Sequence, residues 1–87
     1  LKMKNSFKDP QVVQFLKTLN KKEIGMIKSI EESSIRNMMA MPPKKLIFEL
    51  QRNFLQYYHM EFDSGEGKTA EAAAKRYDEL CRKWNIG

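Results

Sequence analysis

The sequence predicts an all-α protein, a compact bundle of four to five helices with no β-sheet. Three observations carry that prediction. Apolar residues recur every three to four positions, as one face of a helix requires. Helix start and stop signals punctuate the chain at Asp9-Pro10, Asn20, Pro42-Pro43 and the glycines at 65 and 67. No stretch reads convincingly as a strand.

The first helix starts at Asp9-Pro10. Asp caps, and proline accepts the first helical position because its missing N–H has no partner there. Val12, Phe15, Leu16 and Leu19 then share one face. Asn20, with Glu23 three residues on, resembles a capping box in which Asn replaces the usual Ser or Thr. The helix that follows carries Ile24, Ile27 and Ile30, with Gly25 weakening its first turn. Ser33 or Ser34 is expected to cap a short third helix bearing Ile35, Met38 and Met39. Pro42-Pro43 stops it, since the residue before a proline is pushed out of the helical region.

A long helix is expected from Pro43 to about Phe62. One apolar stripe is Ile47, Leu50, Phe54, Tyr57 and Tyr58; a second is Phe48, Leu55 and Phe62. A helix apolar on two sides is central in a bundle or reserves a face for a partner. A Gly-rich loop over 63–69 follows, and Thr69 is expected to cap the last helix. That helix turns Ala70, Ala73, Ala74, Tyr77, Leu80, Cys81 and Trp84 inward. Its outer side carries the pairs Glu71/Lys75, Asp78/Arg82 and Glu79/Lys83, acid first, the favourable order.

With 87 residues the chain reads as one domain, 1–87, with a flexible lead-in over 1–8. Apolar residues make up 41%, a globular composition rather than a disordered one. Cys81 is the only cysteine, which rules out an intrachain disulfide and a thiolate-rich zinc site; it reads as a small buried hydrophobe. No apolar run is long enough to span a membrane. No secretory leader is visible, and an intracellular setting is expected, nuclear or cytoplasmic alike.

Catalytic chemistry finds no footing. Gly67-Lys68-Thr69 ahead of a helix suggests a phosphate loop, but that motif wants a glycine five residues before Gly67, where Phe62 stands, and a strand upstream. A calcium loop begun at Asp63 wants Gly and Glu where Lys68 and Ala74 lie. His59 is the only histidine, has no partner to orient it as a base and reads as a surface or boundary residue. No catalytic residue, metal ligand or cofactor is therefore assigned, and the protein is expected not to be an enzyme.

Two binding functions remain. The first is a non-enzymatic interaction domain that docks a helix or short peptide of another protein, or a second copy of itself, in an apolar groove. Its candidate residues are Phe48, Leu55 and Phe62 of the second stripe, with Met38, Met39 and Met41, because methionine suits adaptable binding surfaces. The second is a nucleic-acid-binding domain. Net charge is +5, and residues 1–28 carry all of it, with seven Lys against Asp9 and Glu23. Lys17, Lys21, Lys22 and Lys28, with Lys44 and Lys45, would contact phosphates with little sequence selectivity.

Overall fold

A computed structural model describes residues 5–86. The order is a short 3-10 turn, Ser6–Lys8, then α1 (Pro10–Lys17), α2 (Lys21–Lys28), α3 (Glu32–Ala40), α4 (Pro43–Ser64) and α5 (Gly67–Lys83). The protein is all-α, and no strand occurs among the described residues. Half of the lead-in expected to be flexible, residues 1–4, lies outside the described residues, whereas Ser6–Lys8 forms the 3-10 turn.

The caps explain where the first two helices begin. The Asp9 side chain accepts from the Gln11 N–H at 2.9 Å, and Pro10 takes the first helical position. Asn20 and Glu23 form the complete capping box at the start of α2. The third helix departs from expectation. It begins at Glu32, with Glu31 at the cap position and no side-chain cap bond, so Ser33 and Ser34 lie inside its first turn. Glu32 has two reasons to be helical there. It suits the positive end of the helix dipole, and its carboxylate meets Arg36 one turn later at 2.7 Å.

The fold gathers into two compact units, Leu1–Leu50 and Gln51–Gly87. In the first, the 3-10 turn packs on α1 and α3. The Ser6 hydroxyl donates to the Met41 carbonyl, a link across 35 residues of sequence. The apolar residues buried here are Val12 and Phe15 of α1, Met38 of α3, and Leu46 and Leu50 of α4. Leu46 is fully buried, although the stripe read from the sequence began at Ile47. Glu23 is fully buried too; its cap bonds to Asn20 satisfy part of its polar demand, as burial of a carboxylate requires.

In the second unit, α4 buries Phe54 and Tyr58, and α5 buries Ala73 and Leu80. Phe62 of α4 meets Tyr77 of α5 edge to face, with ring centroids 5.3 Å apart. The reversal between these helices is tighter than a 63–69 loop. α4 runs through Ser64, α5 starts at Gly67, and Glu66 holds the cap position without a side-chain bond; Thr69 is already inside the helix. Gly65 makes this possible. Its N–H bonds the Glu61 carbonyl at 2.8 Å, so close that a Cβ would come within 2.5 Å of that oxygen. Gly67 then takes φ +64°, a region glycine enters freely. Ala74 faces solvent rather than inward, and Cys81 is half-buried.

Candidate functional site

The two candidate surfaces can be followed residue by residue. Of the apolar set, Phe48 is the most open, at 55% exposure. It lies in the first unit, on the part of α4 whose opposite side buries Leu46 and Leu50. Leu55 and Phe62 lie in the second unit and are half-buried. Phe62 is engaged by two rings, Tyr77 and His59, the latter at 4.9 Å.

The methionines divide. Met38 is a core side chain, 6% exposed, and is not open to a partner. Met39 and Met41 are half-buried. Met41 also lines a cleft of about 550 Å³ between the 3-10 turn and the α3–α4 junction, with Ser6, Lys8, Asp9, Pro42 and Pro43. The sequence reading missed Met60, the most exposed large apolar side chain among the described residues at 61%, because it belongs to neither stripe.

The basic set is more uniform. Lys17, Lys21, Lys22, Lys28, Lys44 and Lys45 are all exposed. Lys22 is engaged by a neighbour. The other five make no ion pair among the described residues. Three ion pairs use arginine: Arg36 with Glu32, Arg82 with Asp78 at 2.9 Å, and Arg76 with Glu79 at 3.7 Å.

Lys44 and Lys45 stand out energetically. They occupy the first turn of α4, which holds no acidic residue. The helix dipole is positive at that end, so cations are disfavoured there. The sequence places two.

His59 is exposed, and its ring lies 6.0 Å from Tyr77. Among the described residues, no group of three or more His, Cys, Asp or Glu side chains could hold a metal ion. Among the described residues, no helix is long and apolar enough to cross a membrane. No protein-family model, curated protein or solved structure matches this chain.

Proposed function

We propose that the protein is a non-enzymatic interaction domain that docks a helix or short peptide of a partner protein, or a second copy of itself, on apolar side chains of α4. The observation that carries this reading is Phe48. A phenylalanine with more than half its surface in water forgoes the stabilisation that burial would give, roughly 1.5–3 kcal/mol for a full side chain. Aromatic side chains in such positions supply the anchors of protein interfaces. Met39 and Met41, half-buried in the same unit as Phe48, offer further apolar area.

A second reading is favoured by the exposed, unpaired lysines Lys17, Lys21, Lys28, Lys44 and Lys45: contact with nucleic-acid phosphates. The two readings separate by mutation and salt. Amphipathic peptides and a single-stranded oligonucleotide are titrated into the labelled protein while amide NMR shifts are followed. Docking on α4 predicts shifts around Phe48 that are lost in Phe48→Asp with Leu55→Asp and persist in Lys17→Glu, Lys21→Glu, Lys22→Glu. Binding confined to the oligonucleotide, lost in the lysine variant and falling steeply with salt, overturns docking in favour of the second reading.

A further inference from the structure

We propose that the segment docked at Phe48 is acidic as well as amphipathic: a short helix or extended peptide whose apolar residues are flanked by Asp and Glu. The inference rests on the docking reading above and names its partner class. Lys44 and Lys45 precede Phe48 by four and three residues, the spacings that make neighbours on a helix surface. Both are exposed and make no ion pair among the described residues. Both also stand where the dipole of α4 disfavours them, and a local rule broken at the surface is expected where binding requires it.

The charge around them has the same sign. Residues 1–50 hold ten Lys and Arg against five Asp and Glu, whereas residues 51–87 hold six against six. Setting aside the Glu32–Arg36 pair leaves nine Lys and Arg against four acids, one of which, Glu23, is buried. Phe48 therefore sits in the positive unit, and the exposed apolar residues Met60 and Ile86 sit in the neutral one. An apolar anchor flanked by cations selects acidic partners and repels basic ones. A phosphate polymer fits less well. Base-stacking surfaces use several exposed rings, while Phe48 is the only exposed Phe, Tyr or Trp among the described residues and is followed by Glu49.

The test uses four probes against the full chain: an acidic amphipathic peptide, its isosteric neutral form with Asn and Gln, its basic form with Lys, and a single-stranded oligonucleotide. Anisotropy gives the affinities at about 50 and about 200 mM salt. The acidic peptide is expected to bind at least about tenfold more tightly than the neutral form, and the basic form not at all. Phe48→Ala is expected to weaken the acidic peptide about tenfold. Lys44→Glu with Lys45→Glu should do the same while the thermal midpoint stays level or rises, which separates lost binding from lost folding. Met60→Ala should leave binding unchanged. Equal binding of acidic and neutral peptides, still sensitive to Phe48→Ala, overturns the acidic partner and leaves the docking reading standing. No peptide binding overturns both, and preference for the oligonucleotide overturns both in favour of phosphate contact.

Discussion

Asn20 and Glu23 hold each other. The Glu23 N–H donates to Asn20 Oδ1 at 2.9 Å, and the Asn20 N–H donates to Glu23 Oε1 at 3.1 Å. Two backbone donors at the start of α2 are thus satisfied reciprocally. That matters for an eight-residue helix containing a glycine, which is too short to persist without caps and packing. Asn20→Ala should lower unfolding free energy by about 0.5–2 kcal/mol in urea titrations. Glu23→Gln keeps the geometry of the box and should cost less than Glu23→Ala. Equal losses from the two Glu23 variants would show that the box does not govern this helix.

Leu46 and Phe48 share one helix and should differ sharply on truncation. Leu46→Ala opens a cavity at a fully buried position and is expected to cost about 2–5 kcal/mol. Phe48→Ala, at an exposed position, is expected to stay within about 0.5 kcal/mol of the parent. Chemical denaturation of both variants checks the contrast. A large loss at Phe48 would place that ring in the core and remove the docking surface.

The glycines give a third contrast. Gly65→Ala drives a Cβ into the backbone oxygen of Glu61, so either α4 or the reversal must shift; a loss of more than about 1 kcal/mol is expected. Gly25→Ala meets nothing within 4 Å inside α2 and should stabilise by roughly 0.5–1 kcal/mol. Thermal melts of the two proteins should therefore move in opposite directions.

The helices were legible in the sequence wherever side-chain pattern and local caps decide structure. Asp9-Pro10, Asn20 with Glu23, and Pro42-Pro43 all bound helices where the residue types indicate. Errors arose where the backbone decides. Thr69 is a good cap by composition, but the bond from Gly65 to Glu61 carries α4 to its reversal and leaves Glu66 at the cap position. Leu46 lies four residues before Leu50, at the spacing that also separates Phe54 and Tyr58. It was readable from that period and was obscured by Lys44 and Lys45 beside it. The candidate surfaces were only partly legible. Charged side chains avoid burial on solvation grounds alone, so the exposure of the lysines followed from their identity. Periodicity assigns apolar residues to a face without saying what covers it. The differing fates of Phe48, Phe62 and Met38 depend on neighbours supplied by the fold.

The tie between the Ser6 hydroxyl and the Met41 carbonyl bears on how this polypeptide can be shortened or fused. A deletion that stops before Asn5 leaves that fastening intact. One that removes Ser6 unlatches the strap of chain leading into α1 from the bend before Pro42-Pro43, and proteases should then gain entry at that bend.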